Sequence, residues 1–149
     1  LVVTRYRLTP VSWPRDFHLK LAIVADVHAG EPDMSPERIA EIVAVTNSLG
    51  TDVILLLGDY VAGHHWRTRM VPASEWAPIL AGLRAPLGVH AVLGNHDWWD
   101  DHGAQRKASG PTIARLALEA VGVPVYETAA VRRQQDAGAA RGASSASMI

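Results

Sequence analysis

The chain contains no cysteine in its 149 residues, and this absence excludes disulfide bonds and metal sites built from thiolates. No apolar run reaches the roughly 18–20 residues that a membrane-spanning helix needs. Neither charge is in excess, because the formal net charge is -1, and this excludes the basic patch typical of proteins that bind nucleic acid or an anionic membrane. The composition, 48% hydrophobic and 19% charged, is that of one globular domain.

Two features at the ends of the chain predict that it is a piece of something longer. The first residue is Leu1 rather than methionine, so a membrane anchor or an export signal could lie upstream. From about Arg132 the residues are small and polar and have no hydrophobic period. We therefore expect an incomplete domain over residues 1–131 and a disordered or aberrant tail over residues 132–149.

Strands and helices are predicted to alternate along the domain. Apolar runs predict strands at residues 18–25, 53–57, 89–93 and 123–126. Helices are predicted from Ser35 to Gly50, over a short segment ending near Leu83, and over residues 112–121, where Ile113, Leu116 and Ala120 share one side. The order β-α-β-α-β-α-β predicts an α/β layered fold with a mainly parallel sheet.

Each of the first three predicted strands ends in residues that can bind a metal ion. Asp26-Val27-His28 follows the first strand, Gly58-Asp59 follows the second, and Gly94-Asn95-His96-Asp97 follows the third. Ligands of open α/β sheets bind beyond the carboxyl ends of the strands, so these clusters should meet in one crevice. From an extended segment the side chains of Asp26 and His28 should point the same way. The oxygen and nitrogen donors suit Mn, Fe, Zn or Mg without choosing among them.

These motifs identify a family resemblance. DVH at 26–28, GDY at 58–60 and GNHD at 94–97 resemble the first three motifs of the calcineurin-like metallophosphoesterases. The surrounding stretches LAIVADVHAG, LLLGDYVAG and AVLGNHDWW resemble the bacterial phosphodiesterase branch, which includes membrane-associated and exported members. The resemblance implies the amino-terminal half of an αββα sandwich, a centre of two divalent metal ions and a phosphoester substrate. The compartment stays open between the cytoplasm and a membrane of a bacterium.

The resemblance also assigns a role to each matching residue. Asp26 and His28 would hold the first metal, and Asp59 would bridge the two metals. Asn95 would hold the second metal and approach the phosphate, while His96 would be the catalytic histidine near the leaving group.

Two later histidine motifs of the family have no counterpart, because no histidine follows His102. We therefore expect a metal-dependent phosphoesterase, most simply a phosphodiesterase, as a truncated chain. The alternative is a non-catalytic remnant that binds metal weakly or not at all.

Several neighbouring residues allow two interpretations. Asp97 could support the metal ligands or only cap the next segment. His64 and His65 could line a substrate pocket or lie in solvent, and Trp98 and Trp99 could stack on a substrate or pack against the protein. Arg67 and Arg69 could meet a phosphate, but solvated charge is the expected role. A structural role is expected for His90 and a surface position for His102.

Overall fold

The computed structural model describes residues 1–63, 66–107 and 110–127. In chain order the strands are β1 (Leu21–Val24), β2 (Gly30–Glu31), β3 (Val53–Leu56), β4 (Arg69–Met70) and β5 (Val89–Ala91). The helices are α1 (Pro36–Ser48), α2 (Ala73–Leu80), α3 (Asn95–Trp99), α4 (His102–Lys107) and α5 (Ile113–Ala120). The predicted tail over residues 132–149 lies outside the described residues, and the domain boundary at residue 131 stays a prediction.

A parallel sheet organises the fold, with the strand order β1-β3-β5. Leu21 pairs with Val53, and Leu56 pairs with both Val24 and Ala91. This confirms the α/β architecture expected for the amino-terminal half of a metallophosphoesterase. Within the described residues, the predicted fourth strand is reduced to a single parallel bridge between Ala91 and Val125. A short antiparallel ribbon, β2-β4, stands apart from the sheet.

One face of the sheet packs against helices. Val53, Ile54 and Leu56 of β3 are fully buried, as expected for a central parallel strand. The aromatic rings of Tyr60 and Trp76 stack at 5.3 Å within this core. The core draws on the sheet and on α1, α2 and α5, and includes Ala22, Ile39, Val43, Ala77, Leu80, Ala91, Ala114 and Leu118.

The other face of the sheet is open to solvent in the described residues. Leu21 and Ile23 of β1 are 44% and 58% exposed, and Leu57 at the end of β3 is 42% exposed. Parallel sheets are usually covered on both faces, so this apolar surface is a departure from the ordinary pattern.

The caps of two helices were predictable, but the buried side of α5 was not. The Ser35 hydroxyl accepts a hydrogen bond from Arg38 N–H and begins α1, and Thr112 does the same for Arg115 N–H at α5. The predicted apolar side of α5 is wrong, because Ile113 and Leu116 are more than half exposed. Ala114 and Leu118 face the core instead. No helix among the described residues is both long and apolar enough to cross a membrane.

Candidate metal centre

The loops that follow β1 and β3 run side by side beyond the sheet. The backbone N–H of Asp26 donates to the carbonyl of Gly58 at 3.2 Å, and that of His28 donates to the carbonyl of Asp59 at 2.8 Å. These bonds extend the parallel pairing of β1 and β3 past the last residues of the strands. They carry the two motifs to the same point at the carboxyl edge of the sheet, as the sequence predicted.

The three residues at this point have left-handed backbone conformations. The φ angles are 54° for Asp26, 44° for His28 and 56° for Asp59, and no other non-glycine residue in the described part of the chain has a positive φ. Asp26-Val27-His28 is therefore not the extended segment that was predicted. Left-handed backbone disfavours side chains with a Cβ atom, and such strain concentrates at functional sites.

These left-handed turns bring three metal-capable side chains together. Asp26, His28 and Asp59 each offer a ligand atom, and the three atoms lie within 4.8 Å of one another. The Nε2 atom of His28 lies 3.9 Å from Oδ1 of Asp26. On the other side of the ring, Nδ1 of His28 lies 3.0 Å from the carbonyl oxygen of Val61. With its Nδ1–H donated to that carbonyl, His28 presents the Nε2 lone pair to the carboxylates, which is the usual arrangement of a metal-ligating histidine.

Asp59 also joins the second motif to the third. Its Oδ1 atom accepts a hydrogen bond of 2.8 Å from the backbone N–H of His96. Two glycines allow this close approach, because a Cβ atom at Gly94 would overlap the Asp59 carboxylate and one at Gly58 would overlap the backbone of Gly94. Gly58 itself turns the chain with a φ of 92°.

The Asp97 side chain holds the second and third loops together. Its carboxylate is 1% exposed and accepts backbone N–H groups from Asp59, Tyr60 and Gly94 at 2.9 Å and from Val61 at 3.4 Å. Burial raises the pKa of Asp97, and the four backbone hydrogen bonds oppose that rise. Asp97 therefore does both things that the sequence left open: it caps α3 through Gly94 and it supports the loop that carries Asp59.

The two remaining predicted site residues begin α3. Asn95 is exposed at the first position of the helix, next to His96, whose N–H binds Asp59. The His96 ring meets the His28 ring edge-on at a centroid distance of 5.0 Å. Its Nδ1 atom lies 3.1 Å from Oδ2 of Asp100, a residue that the sequence analysis passed over. The signal for Asp100 was its spacing, four residues after the histidine, which places both side chains on one side of a helix.

The other residues singled out in the sequence differ in how far they are buried. His90 is buried and contacts the Tyr126 hydroxyl and the Leu87 carbonyl, so it is structural, and His102 is exposed. Trp98 is half-buried, whereas Trp99 is 58% exposed and lies 5.5 Å from the His96 ring. His64 and His65 lie outside the described residues.

The arginines of the loop after Asp59 contact other parts of the protein. Arg69 forms ion pairs with Glu31 at 2.9 Å and with Glu75 at 3.0 Å, and these bonds raise the pKa of its guanidinium. Arg67 donates to the carbonyl of Ala62. Arg69 is thus a structural residue rather than a phosphate ligand.

A family model for calcineurin-like phosphoesterases matches residues 19–130, which include all three loops of this centre. The chain belongs to the calcineurin-like phosphoesterase family. The family consists of hydrolytic phosphoesterases, so a phosphoester substrate and divalent metal ions are implied for its members.

Similar curated proteins carry related names. An uncharacterized metallophosphoesterase of Aquifex aeolicus is 31% identical over 99 residues, which is 66% of this chain and 36% of that protein. The UDP-2,3-diacylglucosamine pyrophosphatase LpxG of Chlamydia muridarum is 30% identical over 100 residues, 62% of this chain and 28% of that protein. A transmembrane protein with metallophosphoesterase domain of Bos taurus is 29% identical over 83 residues, 54% of this chain and 17% of that protein. The chain therefore spans about a third or less of the length of these relatives. No solved structure gives a significant match.

Proposed function

We propose that this calcineurin-like phosphoesterase is a metal-dependent phosphodiesterase that uses two divalent metal ions. Asp26, His28, Asp59 and Asn95 are the proposed metal ligands, and His96 is the proposed catalytic residue. The proposal depends chiefly on one observation: ligand atoms of Asp26, His28 and Asp59 lie within 4.8 Å of one another.

The donor set fits divalent ions. Two carboxylates and one imidazole supply the oxygen and nitrogen ligands that Mn, Fe, Zn and Mg accept. The Asp26 side chain is 69% exposed and the His28 side chain is 28% exposed, so both side chains are accessible from solvent. When bound, a pair of such ions activates water and neutralises charge on a phosphoryl group.

Three residues of the chain would have separate roles in the proposed reaction. Asp59 would hold both ions, because its carboxylate lies near Asp26 and His28 and also accepts the His96 N–H of the third loop. Asn95 would bind a cation or a phosphate oxygen through a neutral amide, which adds no negative charge next to an anionic substrate. His96 would donate a proton to the oxygen that leaves phosphorus, because its ring borders the centre through its contact with His28.

A non-catalytic chain is the second candidate. Among the described residues, Asp26, His28 and Asp59 are the group of histidine and acidic side chains that could hold a metal, and three such ligands are few for two ions. No histidine follows His102 to add to them. This ligand count favours weak metal binding and hydrolysis near background.

Metal binding and turnover measured together decide between the two functions. The chain is titrated with Mn²⁺ by calorimetry and then assayed on bis(p-nitrophenyl) phosphate, beside Asp59→Asn and the control Asp16→Asn, which alters an exposed carboxylate outside the three motifs. A phosphodiesterase binds about two ions per chain and loses hydrolysis with Asp59→Asn but not with Asp16→Asn. Binding of less than one ion and rates equal to buffer would support the non-catalytic chain.

A further inference from the structure

We propose that Asp100 is a positioning residue that fixes the orientation and tautomer of His96, and that Gly63 supplies the space in which the two side chains meet. The inference deepens the proposed function and rests on it where turnover is concerned. It starts from a contact that none of the family motifs contains, because Asp100 lies beyond GNHD at 94–97 and Gly63 lies beyond GDY at 58–60.

The contact is a hydrogen bond of ordinary length between two partly buried side chains. Nδ1 of His96 lies 3.1 Å from Oδ2 of Asp100, and the side chains are 31% and 30% exposed. The backbone supports the same approach, since the N–H of Asp100 donates to the carbonyl of His96 at 3.0 Å. A pair of this kind is less screened by water than a surface ion pair, so it can hold a side chain in one orientation.

Neighbouring rings limit the rotation of the imidazole. The His28 ring meets it at 5.0 Å with an interplanar angle of 79°, and the Trp99 ring meets it at 5.5 Å with an angle of 71°. His28 is itself a proposed metal ligand, so the ring of His96 is held at the edge of the metal centre. The hydrogen bond to Asp100 decides which of its two nitrogens faces away from the centre.

Gly63 lies directly against this hydrogen bond. A Cβ atom at residue 63 would overlap both Nδ1 of His96 and Oδ2 of Asp100. The glycine does not have a positive φ, so the requirement is for space rather than for an unusual backbone conformation. The loop after β3 therefore closes over the His96–Asp100 pair, and a side chain at residue 63 would separate the two partners.

The hydrogen bond to Asp100 determines which nitrogen of His96 carries the hydrogen. An ionised carboxylate can only accept, so Nδ1 of His96 carries the hydrogen of this bond and Nε2 is the nitrogen left for the substrate. In the proposed reaction the oxygen of water forms a bond to phosphorus as the bond to the leaving oxygen breaks. The leaving oxygen takes the proton of Nε2 from the imidazolium form of His96, which becomes a neutral ring that keeps its Nδ1–H on Asp100. The attacking water releases a proton to solvent, and solvent returns a proton to Nε2 before the next turnover.

The first test reads the tautomer and needs no turnover. Long-range ¹H–¹⁵N NMR spectra of the chain are recorded at a pH high enough that further base no longer changes the His96 signals, and His96 is assigned by its loss in His96→Gln. The Nδ1–H tautomer is expected in the wild-type chain. Asp100→Asn and Gly63→Ala should convert it to a mixture or to the Nε2–H form, while the exposed control Asp33→Asn leaves it unchanged. An Nε2–H tautomer in the wild-type chain, or no change in either variant with the thermal midpoint preserved, would overturn the proposal.

The second test uses two phosphodiesters that differ only in their leaving groups, p-nitrophenolate and the poorer leaving group phenolate. If Asp100 acts through His96, Asp100→Asn should lower kcat by roughly 10–100-fold on the phenyl diester with KM changed less than about twofold. On the p-nitrophenyl diester the loss should be much smaller, because that leaving group needs little protonation. Asp100→Asn should add no further loss to His96→Gln. Equal losses on both diesters, or additive losses in the double variant, would refute the positioning role.

The two tests separate the two proposals. The Nδ1–H tautomer, lost in Asp100→Asn, together with an absence of hydrolysis would leave the His96–Asp100 pair standing and reject the proposed function. Hydrolysis that is insensitive to Asp100→Asn would leave the proposed function standing and reject the positioning role of Asp100.

Discussion

Replacing Asp97 by asparagine should loosen the second and third loops of the candidate metal centre. The Asp97 carboxylate accepts four backbone N–H groups, two at each oxygen. Asparagine keeps one acceptor oxygen and puts an amide NH₂ in place of the other. Two of the four N–H groups would then face a donor inside a site that is 1% exposed.

The size of the effect follows from those two lost bonds. A hydrogen bond to a charged group contributes roughly 1.5–3 kcal/mol, and a buried donor left without an acceptor costs a similar amount. Burial of the carboxylate raises its pKa, which means that desolvation cancels part of the gain. We therefore expect Asp97→Asn to lower the free energy of unfolding by about 2–4 kcal/mol. Asp97→Ala should cost at least as much, because all four donors lose their acceptor.

Urea unfolding followed by tryptophan fluorescence measures this change. Trp76 is buried against Tyr60 and reports loss of the core. The control is Asp33→Asn, which alters an exposed carboxylate and should leave stability within about 0.5 kcal/mol. A loss below about 0.5 kcal/mol for Asp97→Asn, with an unchanged slope in urea, would show that Asp97 does not bind these loops together.

Three further predictions test other parts of the structure. Asp59→Asn keeps the shape of the side chain and removes its charge, so calorimetry should show a lost or weakened metal ion, whereas His96→Ala should keep the metal content; the opposite pattern would reverse the two roles. Gly94→Ala puts a methyl group into the Asp59 carboxylate, so it should weaken Mn²⁺ binding at least tenfold and lower the thermal midpoint; unchanged binding would mean that the third loop tolerates a shift. Burial opposes ionisation of Asp101, but backbone N–H groups of Ala104, Ile113 and Gly103 bind its carboxylate and set its pKa below the ordinary value. The stability from these bonds is present above the unfolded pKa of about 3.9 and is lost as the pH falls through the lower folded pKa. Asp101→Asn should therefore reduce stability by roughly 1–3 kcal/mol at neutral pH and flatten its decline in acid; a parallel displacement of the whole pH curve would contradict this origin.

The sheet and its edge were predictable because they depend on local patterns. Val53 to Leu57 is an apolar run, which is typical of a central parallel strand, and Val53, Ile54 and Leu56 are indeed buried, although Leu57 at its end is 42% exposed. Ser35 and Thr112 cap helices through their own hydroxyls, which requires nothing from the rest of the chain. Since parallel strands end at the same edge, the convergence of the motif loops followed from the strand order alone.

The buried side of α5 could not be read from its period. An eight-residue helix rich in apolar residues offers more than one apolar stripe, and the larger residues Ile113 and Leu116 suggested the wrong one. The small side chain of Ala114 lets the helix lie close to the core, with Leu118 one turn further on the same side. Shape at the contact decided the orientation of the helix, and shape depends on partners distant in sequence.

The backbone of the first motif was mispredicted for a related reason. Local preference favours extended backbone at Asp26 and His28, and left-handed backbone costs roughly 1–2 kcal/mol at such residues. The hydrogen bonds from Asp26 and His28 to the loop after β3 hold the observed conformation. Those partners lie about thirty residues away along the chain, so no local pattern announces them.

The same bonds help to maintain the shape of the candidate metal centre. Two like-charged carboxylates repel each other, and the left-handed turns that bring Asp26 towards Asp59 are strained. Neither feature favours folding, so the geometry must be maintained by groups that do not touch the ion. Asp97 supplies such a group, since its bonds to Asp59 and Gly94 fix the second and third loops together. In the proposed function, a bound cation would relieve the repulsion between the two carboxylates. Asp97 should therefore govern stability, whereas Asp26, His28 and Asp59 should govern metal affinity.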